Sequence, residues 1–192
     1  WGNEILRDGI DIEPGDFYKR LSVDKVMPST SQVTPEEFKK MYGRLIDEGY
    51  DILSMHISGK LSGTLDSAIQ AKNTFSNANI ELFDTNSTSM AMGFQVLSAA
   101  RMAQTGATLK ECKAVAEQAV HKTGVYFVLS TLEFLHRGGR IGGAQAFMGT
   151  MLNLKPILEL KDGRIEPVER VRTLSKAVDR LLDLVEARIT NE

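Results

Sequence analysis

The chain has 192 residues, 42% of them apolar, so a buried core is within reach and one large domain or two small ones can be accommodated. Lysine plus arginine number 23 and aspartate plus glutamate 25, a net charge of -2 with both signs mixed along the chain, and this excludes the basic excess expected of a nucleic-acid binder. A single cysteine, Cys112, excludes an internal disulfide and a thiolate-rich metal cluster, and no apolar run reaches membrane-spanning length, so no stable membrane insertion is expected.

No signal-peptide pattern precedes Trp1, and the cytoplasm is the expected location; Trp1 in place of an initiator methionine points to a natural start further upstream. Residues 1–12 read as irregular or edge strand. Asp11-Ile-Glu-Pro14 opens a helix, with Pro14 in the first turn and Phe17 and Leu21 one turn apart. Thr34-Pro-Glu-Glu37 has the form of a capping box for a second helix, whose stripe is Phe38, Met41, Tyr42 and Leu45 and which Gly49 ends.

The stretch Asp51 to Ala68 comes next. Ile52 to Ile57 is too short for a helix and suits a strand; it ends in Ser58, Gly59, Ser62, Gly63 and Thr64, after which Leu65, Ala68, Ile69 and Lys72 recur at helical spacing. Hydroxyls, flexible backbone and a helix start together can receive an anion or a carboxylate, and equally can be a capped helix start. A second such unit follows, with a strand over Asn79–Phe83, a polar turn over Asp84–Ser89, and a helix marked by Met92, Val96, Ala99, Ala100 and Ala103. Thr108 and Glu111 form a capping box for a helix ending near His121, and Val125–Leu129 is a third strand. This alternation predicts an α/β fold with a parallel sheet covered by helices, residues 1–129 forming a first domain.

Beyond residue 129 the pattern changes to a partial second domain, residues 130–192. Ser130 and Glu133 cap a short helix ending at Gly138-Gly139, and a further short helix carries Ala144, Phe147, Met148 and Met151. Asp162-Gly163 sits between two strand-like runs within residues 155–171, an antiparallel hairpin in which Pro156 and Pro167 suit a strand start, an edge or a bulge. A last helix over 174–189 carries Leu174, Val178, Leu181, Leu182, Val185 and Ile189. A hairpin with one helix is incomplete as a unit, so further strands are expected after Glu192.

The chain carries no phosphate loop, HExxH, GxSxG or CxxC motif, and its three histidines make no metal-ligand spacing, so neither a metal nor a cofactor is expected. Of the histidines, His56 lies beside the hydroxyl turn. A serine hydrolase would need it as base for Ser58 or Ser62. Thr30, Ser31 and Gln32 form a second polar cluster before a helix, and Arg137 and Arg140, flanking two glycines, could meet a phosphate or an acidic partner.

Taken in order, Arg7-Asp-Gly-Ile-Asp11, Pro28-Ser-Thr-Ser-Gln32, Ile57-Ser-Gly-Lys-Leu-Ser-Gly-Thr-Leu-Asp-Ser-Ala68, Asp84-Thr-Asn-Ser-Thr-Ser-Met-Ala-Met-Gly93, Leu132-Glu-Phe-Leu-His-Arg-Gly-Gly-Arg-Ile-Gly142 and Asn153-Leu-Lys-Pro-Ile-Leu158 resemble the DegV family of fatty-acid-binding proteins. The resemblance implies a non-catalytic carrier that holds a long-chain fatty acid between two domains and presents it to a fatty acid kinase, which phosphorylates the carboxylate. On this sequence it implies ligand contacts at Thr30, Ser31, Ser58, Gly59, Ser62 and Gly63, with Ser62 ahead of Ser58. It also implies partner or phosphate contacts at Arg137 and Arg140. Relative to the family pattern the chain looks truncated at both ends, and Gly59 and Lys60 depart from the usual Ser-Ser-Gly-Leu-Ser-Gly. Two other readings stay open: a serine-dependent hydrolase of a small ester or phosphoester, and a regulatory module whose lipid binding is incidental.

Overall fold

The computed structural model describes residues 1–150 and 154–190; Met151 and Asn153, named above, lie outside the described residues. The chain forms two compact units, Trp1–Gln32 and Val33–Glu192.

In the first unit, helix α1 spans Pro14–Val23, with Pro14 in its first turn as expected. No residue of α1 is fully buried. The Arg20 guanidinium lies 4.5 Å over the Trp1 ring and 2.6 Å from the Glu4 carboxylate. Residues before α1 turn irregularly, and Arg7 grips Asp11 through Nε and Nη2, each at 2.8 Å. That guanidinium holds the Asp11 carboxyl below its ordinary range.

The second unit opens with α2, Pro35–Asp47, in which the Thr34 side chain accepts from the Glu37 N–H at 3.3 Å. This is one half of the expected capping box. The Glu37 carboxylate is instead paired with Lys40 at 2.8 Å. Strands β1 (Ile52–His56) and β2 (Ile80–Asp84) pair in parallel, joined by helix α3 (Thr64–Lys72). Period-two alternation sends Ile52, Ile80 and Leu82 toward α2 and α3, where they pack with Tyr42, Ala68 and Ala71. Leu53, Met55 and Phe83 face the other way, packing with Ala99 and Ala116 of helices α4 (Ser89–Gln104) and α5 (Leu109–His121). A parallel pair covered by helices on both faces therefore holds as expected.

Two expected details shift. The buried residues of α4 are Ala91, Gln95 and Ala99; Ala99 is as expected, but Gln95 takes the buried place instead of Val96, pointing inward and donating from Nε2 to the Thr123 hydroxyl at 2.9 Å. Strand β3 (Val125–Val128) does not join the parallel sheet; it pairs antiparallel with β4 (Lys155–Lys161), which pairs in turn with β5 (Arg164–Val171). An apolar run reports burial, not its hydrogen-bond partner.

The β4–β5 turn is Asp162-Gly163, both residues at positive φ (49° and 77°), the conformation of a tight two-residue hairpin. Register shifts between Ile157 and Leu158, opposite Pro167, so this proline sits at a bulge. One side of the antiparallel sheet packs Leu158 and Ile165 against Leu132 and Ile141, near helix α6 (Glu133–Arg137), and against Ala144 of the 3-10 segment Gly142–Thr150. The expected Ser130 cap is not made: the N-cap of α6 is Leu132, and the Glu133 N–H donates to the Thr131 hydroxyl at 3.1 Å. Helix α7 (Leu174–Thr190) packs along β3, β4 and β5 and buries Ala177, while Leu174, Val178, Leu182 and Ile189 stay exposed. Among the described residues no helix is long and apolar enough to cross a membrane.

Candidate functional site

Both strands of the parallel pair end in polar turns, and Asp84 fastens the two together. Its Oδ2 accepts from the Gly59 N–H at 3.2 Å and its Oδ1 from the Asn86 N–H at 2.8 Å. The Thr85 hydroxyl donates to the His56 carbonyl at 2.7 Å, and the Ser58 N–H donates to the Ser87 carbonyl at 2.9 Å. The turn after β1 is thus held from below by the turn after β2.

Within it, the hydroxyls of Ser58 and Ser62 are placed differently. Ser58 is fully buried, and its Oγ donates to the Gly163 carbonyl at the hairpin tip, 2.8 Å away. The same oxygen accepts from the Lys60 N–H at 3.2 Å, and the Ser58 carbonyl accepts from the N–H groups of Leu61 and Ser62. Ser62 is half-buried; its Oγ lies 2.7 Å from the Thr64 hydroxyl and accepts from the Thr64 N–H at 3.3 Å, just ahead of Gly63, the N-cap of α3. Of the two, Ser62 has short local partners and a position at the helix entrance where an incoming oxygen could compete for them. Gly59 is exposed.

Other contacts weld this turn to the antiparallel sheet. Lys60 Nζ donates to the Asp162 carbonyl at 2.8 Å, so its ammonium is tied to the hairpin rather than projecting freely. Arg140 Nε donates to the Leu61 carbonyl at 3.0 Å, and the Leu61 side chain enters the apolar cluster of Leu132, Ile141 and Leu158. Lys60, Arg140 and Arg164 line a basic cleft of about 370 Å³ with Leu61, Gly139 and Gly142. Arg137, by contrast, pairs with Glu133 at 3.0 Å, one helical turn back. Thr30 and Ser31 are exposed near the end of the first unit and are described with that unit alone.

His56 is buried at 5% exposure, its ring edge-on to Phe38 and its Nε2 2.8 Å from the Ser54 hydroxyl, which also accepts from Tyr42. Burial pushes its pKa down, opposed more weakly by the Asp84 carboxylate. A His56 base for Ser58 or Ser62 does not form: the ring is engaged with Ser54, and the Ser58 proton is given to a carbonyl. Among the described residues no group of three or more metal-binding side chains comes together. Sequence reasoning missed Asp84 as the tie between turns, and Gly163 as the partner of Ser58; the D-G signal marked a hairpin without showing where its tip lands.

A profile of the family described as "Uncharacterised protein, DegV family" matches residues 1–192. The chain belongs to the DegV family. A DegV domain-containing protein of Streptomyces coelicolor is 40% identical over 188 residues, covering 97% of this chain and 66% of the relative. Among solved structures, a DegV family protein of Thermus thermophilus described for its fatty acid binding superposes with a TM-score of 0.87 at 41% identity, covering 96% of this chain and 65% of that one. A stearic acid-binding protein of Eubacterium ventriosum gives a TM-score of 0.89 at 25% identity, covering 99% and 67%. DegV of Bacillus subtilis, described as a fatty acid binding protein, gives 0.83 at 32% identity, covering 98% and 67%. The DegV chain described above spans about two thirds of the length of these relatives.

Proposed function

We propose that this DegV-family chain binds a long-chain fatty acid whose carboxylate meets the Ser62 hydroxyl at the entrance of α3. The observation that carries the reading is the half-buried Ser62 oxygen, bonded to its neighbour Thr64 at the entrance of α3, in a chain whose relatives include solved fatty-acid-binding proteins. The acyl chain lies between the lobe of β1–β2 and the lobe that holds β4 and β5, a reading supported by the separate sheets these strands form. Burial of the tail supplies most of the affinity, roughly 0.8 kcal/mol per CH₂, and the hydroxyls set orientation. Thr30 and Ser31 are assigned to the same ligand on the sequence match alone, and Ser58, Gly59 and Gly63 shape the turn.

In this reading the chain is a non-catalytic, cytoplasmic carrier that presents the acid to a fatty acid kinase. Arg140 and its basic cleft then meet the phosphorylated head or the kinase, with Arg137 at the margin. Against the hydrolase alternative stands the engagement of His56 with Ser54. Native mass spectrometry of the purified protein, followed by organic extraction of what it holds, is the test. A mass increment matching a fatty acid is expected; protein that carries none and takes none up on titration contradicts the proposal. With a partner kinase, S62A is expected to lower acyl-phosphate formation.

A further inference from the structure

Ser58 is the one hydroxyl of the turn that is fully buried, and its proton is committed to a residue more than a hundred positions away. A hydroxyl placed so cannot also greet a ligand without letting go of the hairpin. Around it the fit is close: a Cβ on Gly163 would overlap Ser58 Oγ and meet Asn86 Oδ1 at 3.0 Å, so the hairpin tip is seated in a notch formed by the two strand-end turns. Lys60 reaches the neighbouring carbonyl, that of Asp162, from the solvent side. The tip is therefore clasped by a buried bond and a surface bond in adjacent positions.

We propose that Ser58 and Lys60 form a latch that holds the β4–β5 hairpin tip on the turn, and that Ser58 is a positioning residue for Ser62. The coupling runs through the backbone. The Ser58 carbonyl accepts from the N–H groups of Leu61 and Ser62 at 2.9 and 3.1 Å, and Arg140, which follows α6, fixes the Leu61 carbonyl from the other side. With the tip seated, the Ser58 peptide is pinned and the direction of the Ser62 hydroxyl is fixed. With the tip released, Ser58 gains freedom and Ser62 keeps its bond to Thr64 but loses its reference to the antiparallel sheet. Gly59, exposed between the two latch residues, is tied through its N–H to Asp84. The half of the inference that concerns Ser62 rests on the fatty-acid reading above; the latch itself does not.

The test uses the full chain as wild type, S58A and K60M, and two measurements. The first is amide hydrogen exchange at Leu61 and Ser62, whose acceptor, the residue-58 carbonyl, survives in S58A. The latch predicts exchange there to quicken by about tenfold or more while the amides of β1 and β2 keep their protection. K60M, altered at an exposed side chain, is expected to move the same two amides in the same direction by less. Unchanged exchange at Leu61 and Ser62, or a uniform rise across the whole unit, overturns the latch. The second is the affinity ratio for a long-chain fatty acid over the matched fatty alcohol, which a loss of overall stability would leave alone. S58A is expected to lower that ratio by several-fold; an unchanged ratio with quickened exchange overturns the positioning role. Wild type that takes up neither ligand defeats the fatty-acid reading and, with it, the Ser62 half, while exchange still decides the latch.

Discussion

Ser58 and Ser62 stand four residues apart on one turn, carry the same side chain, and have opposite surroundings. Ser58 is sealed from solvent and bonded to a distant hairpin; Ser62 is half-buried and bonded to a neighbour two residues on. The difference teaches that a hydroxyl-rich turn divides its labour. One group is committed to the architecture and the other to a local bond, and the partner of each hydroxyl, more than its position in a motif, tells the two apart.

The harshest way to break this comparison is G163A. Gly163 sits at φ 77°, and its added Cβ would press on Ser58 Oγ, so strain and overpacking together are expected to cost about 2–4 kcal/mol. Denaturant unfolding measures it, and a loss within experimental error would mean the tip is not seated as described. Next in size, S58A is expected to cost about 1–3 kcal/mol because it strands the buried Gly163 carbonyl, whereas S62A should cost under about 1 kcal/mol. Equal losses in the two variants would erase the distinction.

A second pair sharpens the same lesson at helix starts. Thr108 caps α5 with a reciprocal bond to Glu111, while Thr88 makes no side-chain cap at α4. T108A is therefore expected to cost about 1 kcal/mol and T88A close to nothing, read from the same unfolding curves. The smallest effect is with pH. His56 has its pKa lowered by burial, so the unfolded chain binds the proton more readily than the folded one. Its contribution to stability is complete above the ordinary histidine pKa and is lost as pH falls through the lower folded value. Melting temperature should decline over that acidic range in wild type more than in H56Q, with Asp84 opposing the effect; parallel curves would remove His56 as the cause.

The sequence was informative where structure is local. Pro14, Thr34, Thr108 and the Asp162-Gly163 turn each announce their role through neighbours within four residues, and each takes a conformation close to the expected one. It was uninformative where the decision is made across the fold. Val125–Val128 looks like any buried strand, and its antiparallel partner is fixed by the packing of β4. Gln95 breaks the apolar stripe of α4 because its amide finds Thr123 on another element. For the candidate site, the strand-end turn and the preference for Ser62 over Ser58 could be read from the sequence and its resemblance, but the partner of Ser58 could not: the Gly163 carbonyl lies on the far hairpin, and no spacing rule reaches it.

The proposed site requires that Ser62 receive a carboxylate while Ser58 does not. Isothermal titration of wild type and S62A with a long-chain fatty acid and with the matched fatty alcohol tests it most directly. Wild type should prefer the acid, and S62A should lose most of that preference while binding the alcohol as before, since tail burial is untouched. A wild-type protein indifferent to the carboxylate, or an S62A variant with its preference intact, would contradict the account.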